Sequence, residues 1–300
     1  VADPAPNPPE ATRPPADDIR GGLFLIVAVL CFTAAFGVIK QLTAELPEPV
    51  IGVMRSIFAL VFFLPMLASR GLAFFKTSRP ISHFWRAAFG YGSFLLFVYA
   101  VARLPLGDAV ALSFTSPFWS ILIGWLVFRD RITPRLGLAV VVGFSGVLLI
   151  AQPSASAGLG VGAIIAIVSA VMTSLAMMMV KQLSGSEPPD RVAFYFMFVS
   201  AIIGAVPAAF DWAMPQLHHV PWLAGIGALF FVGQTALSRA YLYGTFSRMA
   251  PLDFVRLPTA LLLGFFIFGE IPATIALLGM GLIVVASLDI LLGGRRGKQP

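Results

Sequence analysis

The chain has 300 residues, of which 58 % are hydrophobic and only 11 % charged, and its mean hydropathy is +0.91. A soluble domain carries about 25 % charged residues, so this composition excludes a soluble enzyme, a disulfide scaffold and a disordered chain. The net charge of +6 lies mainly in short loops between apolar runs, which is the pattern of membrane topology and not of nucleic-acid binding.

Residues 1–20 hold six prolines and four acids and read as a disordered tail. Ten apolar spans follow, at 22–42, 48–69, 84–103, 106–127, 134–152, 159–181, 191–210, 222–243, 247–268 and 272–292. Each is close to the ~20 residues that a helix needs to cross the hydrocarbon core. Linkers such as Leu104–Pro105 and Gly244–Phe246 leave room only for tight turns, and residues 293–300 form a basic tail. The lone cysteine, Cys31, lies inside the first span and allows no intramolecular disulfide.

Lysine and arginine positions set the expected orientation. With the N-terminus in the cytoplasm, Arg13, Arg20, Arg70, Lys76, Arg79, Arg86, Arg129, Arg131, Arg135, Lys181, Arg191, Arg248, Arg295, Arg296 and Lys298 fall inside, and Lys40 and Arg103 outside. That asymmetry predicts both termini in the cytoplasm.

The two halves repeat each other. Lys40-Gln41-Leu42 recurs as Lys181-Gln182-Leu183, and Pro65, Trp85, Gly90, Pro117, Asp130 and Gly143 recur about 140 residues later as Pro207, Trp222, Gly227, Pro258, Glu270 and Gly281. Five spans per unit force the second unit to enter the membrane upside down. The expected fold is an all-α integral membrane protein of ten transmembrane helices, arranged as two inverted five-helix repeats over 22–152 and 159–292.

Each repeat has a mid-span proline in its fourth helix, then an acidic residue and a Gly-containing last helix. Together with Phe128-Arg129-Asp130-Arg131 and Gly146-Val147-Leu148-Leu149 in Ala109–Ile150, and the weaker copy in Ala250–Leu291, this resembles the EamA-type branch of the drug/metabolite transporter superfamily. Within that branch the chain is most similar to the YddG-type aromatic amino-acid exporters. The resemblance implies a bacterial inner-membrane protein that acts as a monomer and exports small metabolites, foremost aromatic or other large apolar amino acids. The alternative is efflux of drugs or lipophilic cations by proton exchange. Asp130 stands where the family more often has Glu, and Glu270 lacks the basic residue that should follow it, so neither acid is given a chemical role.

Proline inside a helix removes a backbone hydrogen bond and opens the turn before it. Corresponding interruptions in two halves point to a central site, so Pro117 and Pro258 are expected hinges that free the carbonyls of Ser113 and Phe254. Pro65, Pro207, Gly90 and Gly227 are expected to let neighbouring helices bend. The stripe Ala109, Ser113, Ser116, Ser120 and Gly124 reads mainly as close packing, with Ser113 placed at the site.

Asp253 and Arg256 share a helix face. They form either a self-satisfying ion pair or an anchor in which Arg256 meets a substrate carboxylate. Arg55 lies deep in span two, and Arg239 is expected to snorkel. Trp85, Trp212 and Trp222 fall at span ends, as belt residues do. Trp119, Tyr91, Phe94, Tyr99 and Met177 fall inside spans and are expected to line an apolar, aromatic chamber, the tyrosines pointing inward.

No cofactor or metal is expected. His218 and His219 are adjacent, so a regular element should point them apart, and His83 lies across the membrane. With no nucleophile–base pair and no Walker-type loop, a membrane enzyme and an ATP-driven pump are the weaker readings. The expected partners are a small-molecule substrate and the bilayer.

Overall fold

The computed structural model describes residues 17–101, 106–152, 160–268 and 273–293. Among them every regular element is a helix: α1 (Asp18–Leu42), α2 (Glu48–Arg70), α3 (Pro80–Val101), α4 (Leu106–Ser113), α5 (Ser116–Phe128), α6 (Pro134–Ala151), α7 (Val161–Leu183), α8 (Pro189–Phe210), α9 (Val220–Tyr243), α10 (Phe246–Met249), α11 (Arg256–Phe268) and α12 (Thr274–Gly293). Short 3-10 turns occupy Gly71–Phe75, Leu217–His219 and Ala250–Val255. The Leu104–Pro105 turn, Glu270, and the tails before residue 17 and after residue 293 lie outside the described residues.

Proline opens many of these helices. It occupies the first turn of α2, α5, α6, α8 and α9, where its missing N–H would have had no partner and its fixed φ already suits a helix. Thr133 caps α6 by accepting the Leu136 N–H at 3.2 Å.

Among the described residues, eight helical stretches are long and apolar enough to cross a bilayer. Their outer faces carry Leu138, Val206 and Phe210, at 65 %, 63 % and 89 % exposure. In water such surface would aggregate; in lipid it is the solvent-matched face. The chain is a multi-pass membrane protein.

The packing follows a pseudo-two-fold. Pairing α1 with α7, α2 with α8, α3 with α9, α4–α5 with α10–α11 and α6 with α12 maps the two largest interfaces onto each other, α1 along α9 and α3 along α7. The α2–α8 and α6–α12 interfaces map onto themselves. At the latter the helix backbones touch: a Cβ on Gly146 would come within 2.5 Å of the Gly279 carbonyl oxygen. Only glycine permits that approach.

Two expectations need correction. Asp17 and the first turn of α1 lie inside the segment assigned to a loose tail, and they are held in place. The Asp17 side chain caps α1, its N–H donates to the Tyr243 carbonyl at 2.9 Å, and Asp18 accepts from Thr245 N and Arg248 Nη1, each at 2.7 Å. The first turn of α1 is thereby tied to the α9–α10 corner. Gly90 and Gly227 sit in continuous helices and act through packing. A Cβ on Gly227 would strike the α2 backbone at Phe58–Ala59, and one on Gly90 would lie 2.5 Å from Arg86 Nη1. Spans four and nine are interrupted, as their prolines lead one to expect.

Candidate substrate site

In the first repeat α4 stops at Ser113, Phe114 and Thr115 form a turn, and α5 begins at Ser116 with Pro117 in its first turn. In the second, the 3-10 turn Ala250–Val255 precedes α11, in which Pro258 is the third residue. The interruptions expected at the two prolines are present, as a turn at Phe114–Thr115 in span four and as a 3-10 to α transition in span nine. A proline ring clashes with the carbonyl one turn back in a continuing helix but fits the first turn of a new one.

Hydroxyls add further hydrogen bonds to backbone carbonyls around the two interruptions. Ser113 Oγ donates to the Val110 carbonyl (2.8 Å), Thr115 Oγ1 to Leu112 (2.6 Å) and Thr259 Oγ1 to Val255 (2.8 Å). Ser174 Oγ of α7 reaches across to the Ser116 carbonyl at 2.8 Å. The donor of Ser113, expected at the site, is used within its own helix. The small-residue stripe does pack: Ser116 and Ser120 are buried, and a Cβ on Gly124 would overlap Ser247 of α10.

The two breaks meet. Phe114 from the first and Phe254 from the second have ring centroids 6.0 Å apart, in one buried cluster with Val147 of α6 and Ile283 of α12. Arg256 lies over the Phe114 ring at 6.0 Å. Its Nη2 donates to Asp253 Oδ1 at 2.7 Å, so the i,i+3 pair does form, with the arginine side chain 41 % and the aspartate 25 % exposed. Arg256 Nε is buried without an acceptor. Buried Tyr241 of α9 lies within electrostatic reach of Asp253, Arg86 and Arg256.

Two further arginines are enclosed. Arg55 of α2 is 6 % exposed, with its Cζ 4.3 Å from the Phe230 ring and 5.6 Å from that of Phe94. Arg86 of α3, expected near the interface, is 2 % exposed and lies 4.0 Å over Phe196. Its Nη2 donates to Gln234 Oε1 of α9 at 3.3 Å. A charge at mid-membrane costs about 2.5–3.5 kcal/mol on insertion scales, and a desolvated cation–π contact returns ~2 kcal/mol. The rings offset part of that cost but accept no N–H. Arg239 instead reaches Asp190 at 3.2 Å.

The aromatic residues divide. Phe94 is partly buried beside Arg55. Trp119 is partly buried on α5, and its indole N–H finds no acceptor. Tyr91 is 2 % exposed, and its hydroxyl packs between Gly52 of α2 and Gly204 of α8. Tyr99, expected to point inward, keeps 43 % of its surface accessible. Met177 packs on the main core with Met178. Pro65 and Pro207 lie inside the unbroken helices α2 and α8.

Sequence reasoning missed several groups. Asp130 Oδ2 accepts both the N–H (3.0 Å) and the hydroxyl (2.8 Å) of Ser247, joining the end of α5 to α10. A recess of about 770 Å³ opens beside it, at the α5–α6 turn, and is lined by Trp125, Arg129, Arg131 and Thr133 but not by Ser113, Trp119 or Tyr99. The histidines are not splayed. A 3-10 turn sets their rings 3.9 Å apart, and both Nε2 atoms lie 2.9 Å from Glu45 Oε2. These three ligand atoms lie close enough to hold a cation. However, the Gln216 N–H donates to His219 Nδ1 at 3.0 Å, which puts the proton on Nε2 and makes that contact a hydrogen bond to Glu45. Gln234 and Tyr241 carried a weak signal, as polar residues seven apart on one face of an apolar span.

The EamA-like transporter family matches this chain twice, over residues 19–152 and 160–292. The chain belongs to that family. The two matches cover the two halves of the chain, and the family is one of transporters. A riboflavin transporter of Rhizobium johnstonii is 31 % identical, over 95 % of this chain and 96 % of its own length. The pseudopaline exporter CntI of Pseudomonas aeruginosa is 27 % identical, over 91 % and 97 %. An S-adenosylmethionine uptake transporter of Rickettsia bellii is 23 % identical, over 87 % and 89 %. One solved crystal structure superposes with a TM-score of 0.80 over 93 % of this chain and 99 % of its own, at 15 % identity, which establishes the shared fold. The protein is a transporter of small metabolites.

Proposed function

We propose that this EamA-like transporter carries a metabolite with a planar aromatic ring across the bacterial inner membrane by alternating access. The site is the junction of the broken fourth and ninth spans. The observation that carries the reading is the meeting of the two breaks at Phe114 and Phe254, beside the Asp253–Arg256 pair. Symmetric interruptions facing each other provide one site that either side can open onto. Ring-stacking surfaces and the unpaired Trp119 N–H suit a flat substrate with acceptor atoms.

The riboflavin transporter at 31 % identity favours a flavin-class substrate. Aromatic or other large apolar amino acids are the second reading, supported by the YddG-type resemblance and the same aromatic walls. Efflux of lipophilic cations is disfavoured, because Arg55 and Arg86 would repel such cargo. In this reading both termini are cytoplasmic, the monomer is the working unit, and α2 and α8 flex at Pro65 and Pro207.

The test is flux into and out of sealed proteoliposomes of the purified protein, with riboflavin and phenylalanine as separate probes. The reading predicts saturable flux of at least one probe, absent from protein-free vesicles and weakened in Trp119→Ala while the protein remains folded and inserted. Flux of neither probe above the protein-free rate overturns it.

A further inference from the structure

Buried guanidinium N–H groups stand without acceptors where Arg86 of α3 and Arg55 of α2 reach α9. Arg86 and Arg55 each present five N–H groups. For Arg86 one hydrogen bond accounts for one of them, the 3.3 Å contact to Gln234, while Nε and Nη1 are buried without an acceptor. For Arg55 the Nε is likewise unmatched. Among the described residues no carboxylate lies within ion-pair reach of either guanidinium. Gly90 keeps the space at Arg86 Nη1 open, since a Cβ there would stand 2.5 Å from that nitrogen.

The two heads also meet neighbouring turns of α9. Arg55 rests on Phe230 and Arg86 bonds Gln234. These partners are four residues apart on one face of α9, an axial separation of about 6 Å. Tyr241, two turns beyond Gln234, adds a hydroxyl on the same face.

We propose that Arg86 and Arg55 form an anion-receiving site between α3 and α9, where a carboxylate or phosphate takes up the unmatched N–H groups and Gln234 acts as a neutral placeholder. The warrant is the chemistry of the donors. Guanidinium is planar and delocalised, and it remains charged when buried. Its fork matches the paired oxygens of a carboxylate or phosphate, whereas the Gln234 amide offers a single acceptor oxygen. The ring centroids of Phe196 and Phe230 lie 4.0 Å and 4.3 Å from the Cζ atoms of Arg86 and Arg55, and the rings supply no oxygen to their N–H groups. The inference rests on the transport reading and deepens it by favouring, among the flavin and amino-acid cargoes proposed above, those that carry an anionic group. A lipid headgroup of the same chemistry is the other source of such an anion.

The test measures binding to purified protein in neutral detergent by equilibrium dialysis, using probe pairs that differ in one anionic group: flavin mononucleotide against riboflavin, and phenylalanine against phenylalaninol. The proposal predicts at least tenfold tighter binding of the anionic member of one pair or both. That preference falls below twofold in Arg86→Gln, and Arg86→Lys, which keeps the charge but loses the fork, partly restores it. Gly90→Ala, which crowds Nη1 and leaves the charge in place, also weakens the preference and serves as the second variant if Arg86→Gln does not fold. Equal binding within both pairs, binding of no anionic probe, or an undiminished preference in folded Arg86→Gln overturns the proposal.

Repeating the measurement in phosphatidylcholine nanodiscs with and without phosphatidylglycerol separates the sources. Competition by phosphatidylglycerol identifies a headgroup as occupant, and indifference to it identifies the soluble anion. Binding preference and flux are separate readouts. Anion preference without flux of riboflavin or phenylalanine sinks the transport reading alone, and flux with no preference sinks this one alone.

Discussion

Phe114 and Phe254 face each other with ring centroids 6.0 Å apart, one from the break in span four and the other from the break in span nine. Val147 and Ile283, both fully buried, close the cluster from α6 and α12. The inverted repeats thus meet through apolar side chains at their two least regular points, where backbone hydrogen bonding is already interrupted. Phe254 is 2 % exposed, and truncation of a buried Phe to Ala costs about 3–5 kcal/mol. Phe254→Ala should therefore lower the unfolding midpoint in detergent clearly. A midpoint equal to the parent's would show that the junction is not a packed element.

Asp253 and Arg256 should behave as one unit. Removing one partner leaves the other charged and unpaired in a partly buried place, so each single Ala variant is expected to lose more stability than the double variant. A double-mutant cycle on the unfolding midpoint checks this. Simple additivity of the two losses would show that the 2.7 Å contact is incidental to stability.

Asp130 offers a second link between the repeats, through the two hydrogen bonds it accepts from Ser247. Hydrogen bonds to charged groups contribute roughly 1.5–3 kcal/mol. Asp130→Ala loses both bonds and should destabilise by at least that amount, Ser247→Ala loses only the hydroxyl bond and should cost less, and the double variant should be little worse than Asp130→Ala. The same cycle, read by thermal unfolding, decides it. Independent losses would place the role of Asp130 elsewhere.

Glu187 should make stability depend on acidity. Burial alone would raise its carboxyl, but hydrogen bonds from Thr77 Oγ1 (2.6 Å), Arg191 Nη1 (2.5 Å) and the Ser78 N–H (3.1 Å), with the charge of Arg191, outweigh that and hold it below the usual carboxylate range. A carboxyl depressed in the folded state stabilises above its unfolded value near 4.3. That contribution is lost as pH falls through the lower folded value. Unfolding midpoints of the parent should therefore fall more steeply than those of Glu187→Gln as pH is taken from 5 towards 3. Parallel curves for the two proteins would contradict this account.

The span order and most boundaries were legible because bilayer thickness fixes helix length, and because the repeat cross-checks each span against its mate. The start of α3 at Pro80, ahead of the expected Phe84, was hidden because His83 and Arg86 lower the local hydropathy although both end up buried. The prolines located the breaks but not their form, since a sequence does not distinguish a kinked helix from one that ends and restarts. The Arg86–Gln234 bond joins positions 148 residues apart and the Asp130–Ser247 bonds join positions 117 apart. Nothing in either local pattern names its partner. The paired histidines were misread because both Nε2 atoms converge on Glu45, a partner from another part of the chain that their adjacency does not reveal.

The central claim is that one site at the meeting of spans four and nine opens to each side of the membrane in turn. Substituted-cysteine labelling tests it most directly. In a Cys31→Ser background, Ser116→Cys, Trp119→Cys, Asp253→Cys and Thr259→Cys are exposed to a membrane-impermeant maleimide from either face of sealed vesicles. The account predicts that at least one position in each span is labelled from both faces, and that riboflavin or phenylalanine slows the labelling. Labelling confined to one face at every position, or rates unchanged by either compound, would contradict it.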